Sequence, residues 1–328
     1  MNLKKLPTAD DIQLNLTGFS GNKVEALRIN NHTIIRKTSK DKSKNFVLQS
    51  ELSKLKELTQ ISQNSELFKI PKILSHDFDL HGNFFYDLEF IPGENLDSSL
   101  QKFNSKKISS IAEILVQIIE KISLNNIENK KVVVLENKFL LEKFEETKSL
   151  SNNNFSLDLT KELLNEYARK IQELDIINSN TSSTETFCHG DVALDNIIIT
   201  RNDEIYLIDP LKNKFENILW DFSKVLQSSF THWNLIKNNN FEILNEHKKI
   251  KIKPNENILI FHQHFIKNLH NYEAKQILLY LTSTMTRIVK HAKNEKQICA
   301  LMLITNELLT NYNDGRYDLN GSLNSLRW

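Results

Sequence analysis

One stretch constrains this chain more than any other: FCHGDVALDNIIIT at 187–200, followed at once by IYLIDPL at 205–211. It places His189, Asp191, Asp195 and Asn196 ahead of a β-branched run and ends a second apolar run on Asp209. Carboxylates and an amide against buried strands are costly unless something cationic offsets them. The turn-rich tetrapeptide Arg201–Glu204 joins the two runs, so they predict an antiparallel hairpin with Asn196 at its start beside Asp209 at its end. An amide oxygen next to a carboxylate suits Mg²⁺, a hard ion that keeps waters and phosphates as its other ligands. Asp191 lies five residues before Asn196. It can face the same point, free of the metal, and accept a proton. The plainer alternative, a buried hairpin with turn aspartates, leaves Asp209 unexplained at the end of an apolar run.

Composition narrows the classes. The chain has 328 residues, 40% hydrophobic and 25% charged, which is ordinary globular usage and long enough for two lobes. A net charge of +1 gives no reason to expect nucleic acid or an anionic membrane as partner. The two cysteines, Cys188 and Cys299, are far apart and build neither a disulfide framework nor a zinc cluster. The opening MNLKKLPTADD lacks the apolar core of a signal peptide, and no apolar run reaches the ~20 residues of a membrane span. A cytoplasmic protein is expected.

Along the chain, residues 14–37 read as strand, turn and hairpin, with the turn between strands at Asn30-Asn31. Residues 44–58 carry Val47, Leu48, Glu51, Leu52, Leu55 and Leu58 on helical spacing. Two further strands are predicted at 68–78 and 84–91, with Pro92-Gly93-Glu94 as the break after them. Helices follow at 105–122 and 158–174, and everything after Asp221 reads as helical. The polar segments 123–138, 176–184 and 237–256 read as loops, and Asp221 as the N-cap of its helix.

The pattern His189-Gly190-Asp191, then Val192 to Asp195, then Asn196, then Ile208-Asp209, resembles the catalytic loop and metal-binding strand of the aminoglycoside phosphotransferase and choline kinase superfamily. Those are small-molecule kinases with a protein-kinase-like fold. The resemblance implies an α+β bilobal chain: residues 1–91 a nucleotide-binding lobe of antiparallel sheet and one helix, residues 92–328 a larger, mainly helical catalytic and substrate-binding lobe. It implies that Asp191 orients the acceptor hydroxyl and takes its proton, that Asn196 and Asp209 hold Mg²⁺ on the phosphates of ATP, and that His189 is a scaffold residue. In GFSGNKV at 18–24, Gly18, Ser20 and Gly21 would cover the phosphates and Val24 would pack on the adenine. Arg36 or Lys37 would reach the phosphates; strand alternation points only one of them into the cleft, and the sequence does not say which. Glu51 would pair with that cation. The backbone of Glu89 and Ile91 would hold the adenine edge, with Leu88 behind it.

Departures from the protein-kinase pattern narrow the acceptor. Ala193 stands where protein Ser/Thr kinases usually carry Lys, Gly190 where an Arg commonly stands, and Asp209 is followed by Pro210-Leu211. Only a short segment separates Asp209 from Trp220, too little for a phosphorylatable activation segment. The expectation is transfer of the γ-phosphoryl of ATP to a small-molecule alcohol, a sugar or polyol before choline, ethanolamine or an aminoglycoside. The non-enzymatic alternative is a pseudokinase-type nucleotide-binding module.

Overall fold

β3 (His32–Thr38) alternates half-exposed and buried side chains from Thr33 to Arg36, as a sheet with two unlike faces requires, whereas β2 (Lys23–Ile29) buries Glu25, Ala26 and Leu27 in a row. The computed structural model describes residues 12–17, 22–29, 32–125, 132–135, 141–146, 158–176, 181–213, 215–244, 248–321, 323 and 326–327. These group into two compact units, 1–96 with 195–212 and 97–194 with 213–328.

The first unit is built on a five-stranded antiparallel sheet, ordered β1 (Ile12–Thr17), β2, β3, β5 (Phe84–Glu89), β4 (Ile73–Phe78). Helix α1 (Asn45–Gln63) buries Leu48, Leu52, Leu55 and Leu58, the apolar stripe expected from its spacing. A second sheet is discontinuous in sequence. β6 (Gly93–Asn95) pairs with β9 (Ile197–Thr200), which pairs with β10 (Ile205–Leu207). Pro92-Gly93-Glu94 is therefore not only a break: Gly93 lies opposite Thr200 in an antiparallel ladder. A Cβ there would sit 2.6 Å from both the Ile198 side chain and the Ile199 carbonyl, so only glycine fits.

The second unit is helical: α2 (Leu96–Leu100, whose first residue closes the first unit), α3 (Ser105–Ser123), α4 (Asp158–Ile176), α5 (Ile218–Ser229), α6 (Trp233–Lys237), α7 (Glu256–Lys267), α8 (Ala274–Val289) and α9 (Glu295–Asn313). α3 packs on α7, α5 on α8, and α9 on both α4 and α8. Three readings from sequence are corrected here. The segments read as loops contain strands β7 (Val132–Leu135), β8 (Thr181–Thr184), β11 (Glu242–Leu244) and β12 (Lys249–Lys251), and β13 (Leu326–Arg327) joins β12. Each has only two to four residues, too short for alternation to stand out. Asn196 closes a 3₁₀ turn, Leu194–Asn196, and the strand begins at Ile197. The cap of α5 is Asn217, whose side chain accepts from the Leu219 N–H; Asp221 lies inside the first turn, engaged elsewhere. Among the described residues no helix is long and apolar enough to cross a membrane.

Two buried histidines sit where α5 ends. His262 on α7 stacks on Phe230, with ring centroids 5.2 Å apart, and its Nε2–H donates to the Leu319 carbonyl at 2.7 Å. A carbonyl only accepts, so Nδ1 is the bare nitrogen and accepts from Ser229 Oγ at 3.2 Å. Burial lowers the pKa of His262 to about 4, although Leu319 and Asp318 favour its charge; burial and then His262 lower His232 to about 3. Both are neutral when folded and titrate near 6.5 when unfolded, so the unfolded state binds the extra protons and stability falls as pH drops from about 6.5 towards 4. Thermal unfolding between pH 7 and pH 4.5 should show His262→Gln losing less Tm than the parent over that interval. Equal losses would remove His262 as a source of acid sensitivity.

Candidate active site

In the first unit the site grows from the register of β3 on β5. Arg36 stands opposite Asp87, and Lys37 opposite Tyr86. Successive residues of a strand face opposite sides, so the two cations are sorted to different faces. Arg36 forms a two-pronged pair, Nε to Asp87 Oδ1 at 2.7 Å and Nη2 to Oδ2 at 2.8 Å, with its guanidinium over the Phe85 ring at 4.2 Å. Ser75 donates to the same carboxylate at 2.6 Å. That guanidinium is locked into the sheet.

Lys37 shares its face with Val24 and Tyr86. Its Nζ donates to Glu51 Oε1 of α1 at 2.5 Å and to Asp209 Oδ1 at 3.3 Å. Tyr86 donates its hydroxyl to the same Glu51 oxygen at 2.5 Å. Burial opposes the charge on Lys37, but Asp209 and Glu51 together more than reverse this and raise its pKa. Burial also raises Glu51, against the pull of Lys37. One turn after Glu51, the buried Lys54 donates to the Leu211 carbonyl at 2.8 Å, so α1 grips the chain just past Asp209 as well. Asp209 has φ +54°, the left-handed region that Asp tolerates better than most residues, and its side chain remains 45% exposed.

Asn196 and Asp209 flank the β9–β10 pair. Leu207 lies opposite Ile197, and the Ile208 N–H donates to the Asn196 carbonyl at 3.0 Å, so the two strand ends are neighbours. No group of three or more His, Cys, Asp or Glu able to hold a metal occurs among the described residues. A carboxylate and an amide carried on neighbouring strand ends are nonetheless the types of oxygen donor that suit a divalent ion taking its remaining ligands from water and phosphate. On β5, Leu88 is buried on the Lys37 face, opposite Ile35. The Glu89 N–H donates to the Lys72 carbonyl at 3.0 Å, and Ile91 is half-buried beyond the strand end. Gly18, Ser20 and Gly21 lie outside the described residues.

In the second unit the loop before Leu194 hangs on one carboxylate. Asp221 accepts from the His189 N–H at 2.7 Å and from the Gly190 N–H at 2.6 Å. Gly190 has φ +87°, which explains the glycine. His189 is fully buried and its Nδ1 accepts from the Asp191 N–H at 3.3 Å, a bond within the loop. Asp191 Oδ1 lies 2.8 Å from Nζ of Lys224, a buried residue of α5. Burial works against the Asp191 carboxylate, but Lys224 and then Arg287 of α8 outweigh it and hold the carboxyl below its usual range. Lys224 is pushed down to about 8 by burial first and Arg287 second. Neither Lys224 nor Lys54 was found from sequence. Their signal is a lysine within the buried stripe of an amphipathic helix, Lys54 between Leu52 and Leu55 and Lys224 between Phe222 and Val225.

The profile of the phosphotransferase enzyme family (APH) matches residues 40–237. The chain belongs to the phosphotransferase enzyme family. No curated protein matches it. Solved structures resemble this phosphotransferase over nearly their whole length. The GDP complex of wild-type aminoglycoside 2'-phosphotransferase-IIIa has TM-score 0.55 at 16% identity, covering 93% of each chain. A GDP and kanamycin complex of APH(2")-IIIa has TM-score 0.56 at 16% identity, covering 93% of this chain and 94% of that one. Choline kinase from Cryptosporidium parvum Iowa II has TM-score 0.54 at 17% identity, covering 95% and 93%. At these identities the likeness is one of fold: a small antiparallel-sheet region followed by a larger helical one, as the sequence motif implied.

Removing Asp87 would strand the Arg36 guanidinium inside the sheet. Asp87→Ala should lose about 3–5 kcal/mol in urea unfolding, the usual cost of breaking a buried ion pair from one side. A loss below about 1 kcal/mol would show that the pair carries little of the sheet's stability.

Proposed function

We propose that this phosphotransferase moves the γ-phosphoryl of ATP to an alcohol group of a small molecule, a sugar or polyol. The observation that carries the reading is the triad in which Lys37 bridges Glu51 and Asp209. A lysine fixed by a helix carboxylate beside the metal-side aspartate is the arrangement a nucleotide phosphate requires. Of the two candidate cations we assign Lys37 to the phosphates, because Arg36 is fully engaged by Asp87 on the other face of the sheet. Gly18, Ser20 and Gly21 would cover the phosphates with backbone N–H groups. Val24 and Leu88 would line the adenine, and the backbone of Glu89 and Ile91 would hold its edge. On this reading residues 1–91 serve the nucleotide and 92–328 the catalytic loop and the acceptor.

Asn196 and Asp209 would hold Mg²⁺; when bound, it neutralises charge on the phosphate oxygens. Asp191 would accept a hydrogen bond from the acceptor hydroxyl and take its proton as transfer proceeds. A carboxylate held ionised by Lys224 and Arg287 is a weak base, suited to orienting a nucleophile and receiving its proton late, which is what a loose phosphoryl-transfer transition state asks. Most of the barrier reduction then comes from positioning and charge complementarity. Two buried cysteines outside any disulfide are compatible with the reducing cytoplasm as its place of action.

Asp191→Ala should lose at least about a thousandfold in kcat while keeping the thermal shift produced by Mg-ATP. Asp209→Ala should lose turnover and that shift together. Ordinary kcat in Asp191→Ala would remove the proposed base, and a retained shift in Asp209→Ala would remove the proposed ligand. A shift without transfer to any alcohol would favour a nucleotide-binding module.

A further inference from the structure

The mechanism above leaves one deeply placed cation without a direct partner. Arg287 lies in the last turn of α8, most of its surface buried. Its backbone is fixed from two sides. Thr284, one turn earlier, shares a hydrogen bond with Ser223 of α5 at 2.9 Å, and Thr286 shares one with Tyr167 of α4 at 2.6 Å. Among the described residues its guanidinium makes no ion pair and no hydrogen bond. Burial lowers its pKa, and the charge acting against that is Asp191. Asp191 is already paired with Lys224, and both oxygens of Asp221 are engaged by the loop N–H groups. A guanidinium offers five N–H donors in a rigid fork, and no hydrogen bond among the described residues uses them.

We propose that Arg287 receives a carboxylate of the acceptor, so that the alcohol phosphorylated at Asp191 belongs to a hydroxy acid, such as a sugar acid or polyol acid. This rests on the kinase reading. Two features favour one negative charge. The fork of an Arg matches a carboxylate bidentately. With Lys224 paired to Asp191, Arg287 supplies one further positive charge, which a monoanion matches; a phosphate dianion would leave a negative charge facing Asp191. A cationic acceptor would be placed beside two cations that already repel one another, since Arg287 adds to burial in pushing Lys224 down to about 8. His291, exposed beyond the end of α8, adds no third charge near neutral pH, because partial burial and then Lys290, Arg287 and Lys224 hold its pKa below the ordinary value.

The test uses the full chain with Mg-ATP and matched acceptors: glycerate against glycerol and gluconate against sorbitol, with ribose 5-phosphate and choline as further arms. Phosphoryl transfer and ligand-induced stabilisation of the Mg-ATP-bound protein are both read. The acid of a pair should be preferred roughly tenfold or more in kcat/KM, or should stabilise the protein where its neutral partner does not. Arg287→Gln should erase that preference mainly through KM, and Arg287→Lys should restore part of it. The Mg-ATP shift of each variant reports that it is folded, and Arg287→Lys carries the test if Arg287→Gln does not fold. Preference for a neutral, cationic or phosphorylated acceptor overturns the inference. So does a response to acids that Arg287→Gln leaves unchanged, or silence toward every acid in a protein that still shows the shift; these leave the kinase reading standing. Absence of the Mg-ATP shift in the parent protein instead fails the kinase reading itself.

Discussion

The ammonium of Lys37 is the point on which the first unit converges. It comes from the middle of the five-stranded sheet, its partner Glu51 comes from the helix packed on that sheet, and Asp209 comes from the chain that follows β10. A lysine buried to this degree would ordinarily be pushed towards neutrality. Here two carboxylates reverse the penalty of burial, and the ammonium in turn gives two acidic groups a reason to approach one another. Sheet, helix and hairpin are thus held by one shared charge. Lys54 on the same helix adds a second hold on the backbone at Leu211.

The second unit uses the opposite polarity for the same purpose. There the buried hub is a carboxylate, Asp221, and what it gathers are two consecutive backbone N–H groups. The turn at Gly190 aims those N–H groups inward and leaves Asp191 to the next residues of the loop, where a second helix lysine meets it. In both units a helix supplies the counter-charge at a position where its pattern would otherwise place an apolar side chain. A segment of irregular backbone is thereby held without secondary structure of its own.

Much of this can be read along the chain because it is local. The β9–β10 hairpin was visible from two short β-branched runs and a polar turn, and the long helices from apolar residues at a period near 3.6. What pairs across distance was not visible. Arg36 and Lys37 are adjacent and chemically similar, and alternation shows only that they face opposite ways; the residue that separates their roles, Asp87, becomes informative once the register of β5 on β3 is known. Lys224 and Arg287 lie on helices that meet through tertiary packing, so nothing near Asp191 in sequence announces them. Short strands such as Val132–Leu135 and Thr181–Thr184 escaped because four residues carry almost no period, and each finds its ladder partner in the other.

The pairing of Gly93 with Thr200 has a consequence for how the chain is made. More than a hundred residues separate the two strands of that ladder, whereas every strand of the five-stranded sheet lies within the first ninety residues. During synthesis the large sheet and its helix can assemble early, but β6 must wait, edge exposed, until the hairpin emerges. Lys37 waits as well, with Glu51 at hand and Asp209 still to come. Until the 197–209 segment has been made, the central lysine can have only one of its two counter-charges, and that one segment supplies both the partner strands of the second sheet and the missing carboxylate.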